Sequence, residues 1–328
     1  MEVGLIGCGG MGMSLGRALN ATGAARIAAV ADVDPARARA CGEELGAPSY
    51  EDHRSMLATA DVAAAIVASP PFLHRPLAED ALAAGCHVFV EKPMAVTLED
   101  CDAMMRAAEA AARTLMVGQA LRYYPTWRYI RERVAAGAIG RPIGAQVTRV
   151  GGGWGSDSVP WRLEMAQCGG MLMEVNAHEL DFMCHLLGEP RRVYGAMGRF
   201  LDTRIDFANL AFVSVHFASG ALGLLHASQV SAIGDLSGIV EGEAGTLAYR
   251  DGFSGEGRIS EARHGEKATI TRVGDLNYEP PVQAELRAFI EAAASGAPPP
   301  VPGAEGRRAV AVALAAYRSA EEGRPVEL

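Results

Sequence analysis

The strongest constraint on this chain lies at its start. Residues Glu2–Ile6 form a short apolar run that ends in Gly7-Cys8-Gly9-Gly10-Met11-Gly12, and a helical pattern through Leu15, Ala18 and Leu19 follows. Strand, G-x-G-x-x-G turn and helix in that order specify a dinucleotide-binding βαβ unit. Gly7 permits the tight turn, Gly9 lets the backbone approach a pyrophosphate, and Gly12 lets helix and strand pack closely. The helix start at Gly10 and Met11 presents backbone N–H groups and a positive dipole end to phosphate. The next strand, Arg26–Ala31, ends in Asp32. An acid there accepts hydrogen bonds from both ribose hydroxyls and repels a 2′-phosphate, and Val33 rather than an arginine follows. That favours NAD over NADP. In a purely structural reading, Asp32 only begins the turn before Asp34-Pro35, with Asp34 capping a helix and Pro35 in its first position.

Beta–alpha alternation continues. Val62–Ala68 reads as a buried strand ending at Ser69-Pro70-Pro71, with a helix from about His74 to Ala84. His87–Val90 is a strand ending at Glu91-Lys92-Pro93. Thr97 and Asp100 mark a helix start, the helix runs to about Arg113, and Leu115–Gly118 is a last strand. The pattern implies a parallel sheet covered by helices on both faces. Ligands of such a sheet bind at the carboxyl ends of its strands. The glycine loop, Asp32, Ser69, Pro70, Glu91, Lys92 and Gln119 therefore belong to one edge. Pro93 holds Lys92 extended. The chain has 28 arginines and only two lysines, Lys92 and Lys267. A lysine kept in an arginine-rich chain points to a task that a wide, always-charged guanidinium does not perform.

From about Leu121 the rhythm changes. Arg122-Tyr123-Tyr124-Pro125 precedes a charged helix, and strand-like runs follow at Ile143–Val150, Val193–Phe200, Leu210–Phe217, Ala221–Gln229 and Gly238–Glu241. Successive strands indicate an α+β domain with a mainly antiparallel open sheet. The expected division is a Rossmann domain over 1–120 and a substrate and oligomerisation domain over 121–328. Between the first two of these strands lie Trp161-Arg162 and then Gly169-Gly170, followed by a helical pattern containing Glu174, Asn176, His178, Glu179 and Asp181. On one helix Glu174 and His178 share a face, so the carboxylate can orient the imidazole and stabilise its cation, as a general base requires. An ordinary helix with satisfied histidines fits the spacing equally well. The methionines of this segment read as packing.

Other classes are disfavoured. A net charge of −9 argues against nucleic acid as a partner. The six cysteines are scattered, with no Cys-x-x-Cys pair, and H-E-x-x-H is absent, so neither a metal nor a disulfide framework is expected. The apolar runs are too short to cross a bilayer, and no signal-peptide pattern opens the chain, which suggests a cytoplasmic protein.

The glycine loop, Asp32, Ser69-Pro70 to His74, Glu91-Lys92-Pro93, Trp161-Arg162, the Gly-Gly before His178 and the ending Tyr317–Leu328 together resemble the Gfo/Idh/MocA oxidoreductases (glucose–fructose oxidoreductase, inositol dehydrogenase) over nearly the whole chain. The resemblance implies that His74, Trp161 and Arg162 join the cofactor contacts, and that Lys92 and His178 flank the reacting carbon with Glu174 behind the histidine. It also implies that a final helix, about 303–322, packs near the first domain, and that the open sheet forms contacts in a homodimer or homotetramer. Members usually carry aspartate four residues before the histidine, where this chain has Glu174. Asn176 stands where glycine is frequent. The implied activity is NAD-dependent oxidation of a secondary hydroxyl on a sugar, amino sugar, sugar nucleotide or cyclitol, with Arg122, Tyr123, Asp157, Asn176 and His178 as polar contacts. Two alternatives remain open: transient oxidation followed by elimination at a glycosidic bond, and a non-catalytic NAD-binding sensor.

Overall fold

A computed structural model describes residues 1–153 and 159–328. The first residues build the strand–turn–helix read from the sequence: β1 (Glu2–Ile6), α1 (Gly10–Thr22) and β2 (Arg26–Ala31). Then come α2 (Pro35–Leu45), β3 (Ser49–Tyr50), α3 (His53–Thr59), β4 (Ala64–Val67), α4 (His74–Ala83), β5 (His87–Glu91), α5 (Leu98–Ala111) and β6 (Leu115–Gly118). Local chemistry sets the helix starts. Asp34 accepts hydrogen bonds from the N–H groups of Ala36 and Arg37 ahead of Pro35, and the Thr97 hydroxyl accepts from Asp100 N–H.

The six strands pair in the order β3-β2-β1-β4-β5-β6, all parallel. This is the doubly wound Rossmann order, with its switch point between β1 and β4. Central strands buried on both faces read as unbroken apolar runs, as Ala64–Val67 and Val88–Val90 do.

The second half contains α6 (Pro125–Ala135), β7 (Pro142–Val150), α7 (Met165–Cys168), α8 (Gly170–Glu174) and α9 (Ala177–Leu187). The strands β8 (Pro190–Gly198), β9 (Leu210–Phe217), β10 (Leu222–Ser228), β11 (Asp235–Gly242), β12 (Gly245–Arg250), β13 (Arg258–Arg263) and β14 (Thr269–Arg272) follow. After them come α10 (Pro281–Ser295), α11 (Gly303–Glu322) and a closing β15 (Val326–Glu327). The nine strands order as β14-β13-β12-β11-β7-β10-β9-β8-β15. The sheet is mostly antiparallel, with one parallel pair, β7 and β10. There Trp127 meets Tyr249 edge to face at 5.4 Å and Phe253 at a tilt at 4.9 Å.

The chain forms two compact units, Met1–Gln119 with Glu279–Arg307, and Ala120–Tyr278 with Arg308–Leu328. The sequence reading assigns Glu279–Arg307 to the second domain; the structure corrects this. Helix α10 lies against α1, and Phe289 meets Phe89 of β5 edge to face at 5.7 Å. The helix α11 spans both units. Its first turn belongs to the Rossmann unit, where Arg307 pairs with Asp102. Beyond it, Tyr317 accepts from Leu172 N–H and Ser319 accepts from Gly195 N–H in the second unit.

Candidate active site

In the Rossmann unit the glycine loop leaves β1 with Gly7 at φ +98°, a left-handed conformation. A side chain there would also strike the Ala68 carbonyl. A Cβ on Gly12 would collide with the Gly7 carbonyl, which is the close helix–strand approach the motif predicts. Gly9 and Gly10 differ, because a Cβ on either would meet nothing within 4 Å. Gly9 is the N-cap of α1, and no side chain caps that end. The first N–H groups of a thirteen-residue helix thus face open space, and a pyrophosphate fits there.

The carboxylate of Asp32 is fixed from two sides. Its Oδ2 accepts from Cys8 N–H at 2.8 Å, and its Oδ1 accepts from Asp34 N–H at 2.9 Å. This locks the acid against the glycine loop and starts the turn before Asp34-Pro35, as the structural reading has it. A contact not visible in the sequence is Arg37, whose guanidinium lies 3.2 Å from Asp32 Oδ1. One helical turn of α2 brings it there.

Ser69 and Pro70 follow β4, and Glu91 closes β5, its Oε2 accepting from Lys92 N–H at 3.0 Å. Lys92 is half-buried, precedes a cis peptide to Pro93, and Gln119 is buried just past β6. His74 departs from its expected role as a cofactor contact. It is only 1 % exposed, and both ring nitrogens face backbone carbonyls, so no ring edge remains for a ligand.

In the second unit the segment around His178 is not one helix. The helix α8 ends at Glu174, Asn176 sits at φ −102° and ψ 8°, and α9 begins at Ala177. Glu174 and His178 therefore do not lie on one continuous helical face, as their spacing suggests. Each acid of this segment meets an arginine instead. Glu174 pairs with Arg162 at 2.8 Å, and Glu179, wholly buried, accepts from Arg149 at 2.8 Å. Asp181 receives a two-pronged fork from Nε and Nη2 of Arg122, both at 2.6 Å. Arg122 is thus a buried partner of α9 rather than an open polar contact, and Arg162 is tied to Glu174. Tyr123 is buried beside it, Trp161 lies in the short turn Pro160–Leu163, and His178 is half-buried in the first turn of α9. Asp157 lies outside the described residues.

Asn176 is 1 % exposed. Its amide nitrogen donates to Glu179 at 3.2 Å, and its Oδ1 has no partner. A buried acceptor without a donor is costly, about 1–3 kcal/mol, unless something completes it.

Known proteins agree with this architecture. The family model described as "Oxidoreductase family, NAD-binding Rossmann fold" matches residues 1–119, and its C-terminal domain model matches 127–248. Myo-inositol 2-dehydrogenase of Thermotoga maritima is 30% identical over all of this chain and 98% of that protein. The 2,7-anhydro-N-acetylneuraminate hydratase of Escherichia coli is 31% identical over 69% of this chain and 61% of its own length. The structure of levoglucosan dehydrogenase with NADH and levoglucosan superimposes with a TM-score of 0.90 at 22% identity, covering 100% of this chain and 99% of that one. With a glycine loop, an acid at the end of β2 and full-length kinship of this kind, the chain belongs to the Gfo/Idh/MocA family of NAD-dependent oxidoreductases.

Proposed function

We propose that this enzyme oxidises a secondary hydroxyl of a cyclitol or neutral sugar, reversibly. The observation that carries this reading is Lys92 at the carboxyl end of β5, in a chain that otherwise uses arginine almost throughout. Full-length similarity to a myo-inositol dehydrogenase supports the substrate class. NAD, held by the glycine loop and Asp32, supplies the hydride acceptor. His178 takes the hydroxyl proton as the C–H bond breaks and C=O forms, and Lys92 donates a hydrogen bond to the oxygen. Glu174 acts from behind, through its ion pair with Arg162. Glu174 and Glu179 are each paired with an arginine, so neither supplies an uncompensated charge that would select an amino sugar.

The test is NAD reduction measured over a panel of cyclitols and sugars, with sugar products followed in parallel. His178→Ala and Lys92→Ala lower turnover by about a hundred- to ten-thousand-fold while NAD still binds. Near-normal turnover in either variant defeats the assignment. Similarity to a hydratase favours a second reading, in which oxidation is transient. Product without net NADH is its signature.

The reading extends to a cytoplasmic homo-oligomer. All six cysteines are free and buried, as suits a reducing compartment, and among the described residues no helix is long and apolar enough to cross a membrane. Tyr194, Phe212, Leu222, Leu224 and Ile239 stand exposed on one face of the nine-stranded sheet, a surface suited to a second copy. Light scattering of the purified protein at a single-chain mass refutes this.

A further inference from the structure

His74 is the first residue of α4, and its ring fills the gap between the loops that leave β4 and β5. These strands pair in parallel up to Val67 and Val90. Beyond that point no ladder bond between them holds the two loops together. The imidazole takes over the connection. Nδ1 lies 3.0 Å from the Pro93 carbonyl and 3.3 Å from that of Met94, and Nε2 lies 2.9 Å from the Ser69 carbonyl. Carbonyls only accept, so the ring donates to one loop as a neutral tautomer and to both as an imidazolium. Burial holds its pKa below the usual imidazole value, against the pull of the three carbonyls, and the Lys92 charge acts in the same direction as burial.

The Lys92 backbone is pinned from both sides. Its N–H is held by Glu91 at 3.0 Å, and the carbonyls of the next two residues are held by His74. Pro93 has no N–H to offer a competing bond. A donor must sit within a few tenths of an ångström of its acceptor to act on a developing charge, and Lys92 reaches out from this short pinned stretch.

We propose that His74 is the positioning residue for Lys92, its buried ring wedged between the β5 loop and the Ser69 turn and donating to one of them when neutral and to both when protonated, so that the ammonium is held where the substrate oxygen forms. The proposal rests on the assignment of Lys92 above and adds the group that sets its place.

The scarcity of lysine makes the test direct. In a Lys267→Arg background Lys92 is the only lysine. Reductive ¹³C-methylation then gives one lysine resonance, whose shift and titration midpoint report its surroundings without substrate. His74→Asn retains a donor toward Pro93 and Met94, and His74→Gln retains one toward Ser69. Losing the β5-side bond in His74→Gln moves the Lys92 resonance. It also lowers kcat with NAD and myo-inositol by about ten- to a hundredfold at little change in KM. His74→Asn recovers part of both. An unchanged Lys92 resonance in folded His74→Gln overturns the proposal. The earlier assignment fails separately, if Lys92→Ala turns over normally while the resonance in His74→Gln still moves.

Discussion

The pair Arg122–Asp181 offers the sharpest quantitative test of the second unit. The two side chains are 3 % and 2 % exposed, and the fork between them is the tie from the turn Ala120–Tyr123 to α9, the helix that also carries His178. Asp181→Ala leaves a guanidinium buried without its carboxylate. Breaking a buried pair from one side costs about 3–5 kcal/mol. At about 2–4 °C per kcal/mol for a unit of 150–250 residues, the melting transition falls by about 6–20 °C. Arg122→Met with Asp181→Leu removes both charges together and puts apolar volume in their place, so the double variant lies within about 1–2 kcal/mol of the parent. Urea unfolding of the parent, Arg122→Met, Asp181→Leu and the double variant therefore yields a coupling energy of about 3 kcal/mol or more. Additive single effects would refute the reasoning, since they mean that neither side chain is held by the other's charge. The folded Asp181→Ala fraction also turns over more slowly, because α9 has lost its anchor one turn beyond His178.

Further outcomes follow from the same geometry. Asp32→Ala raises the NAD dissociation constant about ten- to a hundredfold in calorimetry, a net loss of about 1.5–3 kcal/mol of hydrogen bonding to a charged group. It also narrows the preference over NADP. Gly12→Ala forces the glycine loop away from α1 and lowers stability by about 1–3 kcal/mol in urea melts, with NAD affinity falling alongside. Glu261 is gripped by Nε and Nη2 of Arg133 at 2.8 and 2.5 Å, and that contact holds its carboxyl below the usual 4.5. Its contribution is present above that value and is lost as pH falls through the folded pKa, so Glu261→Gln flattens the stability decline below about pH 4.5 and costs up to about 1 kcal/mol at neutral pH.

The Rossmann half was legible because its signals are local. A glycine turn, the Asp34-Pro35 cap and the Thr97–Asp100 cap each act over a few residues, and buried parallel strands write themselves as apolar runs. What escaped was decided at long range. Nothing local marks which sheet α10 covers, and Phe289 finds Phe89 two hundred residues back along the chain. The parallel pairing of β7 with β10 is hidden behind the helices and strands between them. His74 matched a motif, yet only coordinates show its nitrogens turned to backbone.

The break between α8 and α9 explains why spacing misled most around His178. Neither glycine nor proline interrupts Glu174–Asp181, so the pattern reads as one helix. The partners of its acids come from elsewhere: Arg149 is 30 residues from Glu179, and Arg122 is 59 from Asp181. Arginine suits that work, since a planar fork that keeps its proton satisfies two carboxylate oxygens at any ordinary pH. Static charge here is carried by arginines, and they neutralise every acid in the segment. In the proposed reaction, proton transfer and fine approach to an alcohol oxygen fall to the two residue types arginine does not replace: an imidazole that exchanges its proton near neutrality and a compact ammonium. That division of labour gives a physical reason for the presence of His178 and Lys92 in a chain that otherwise writes its cations as arginine.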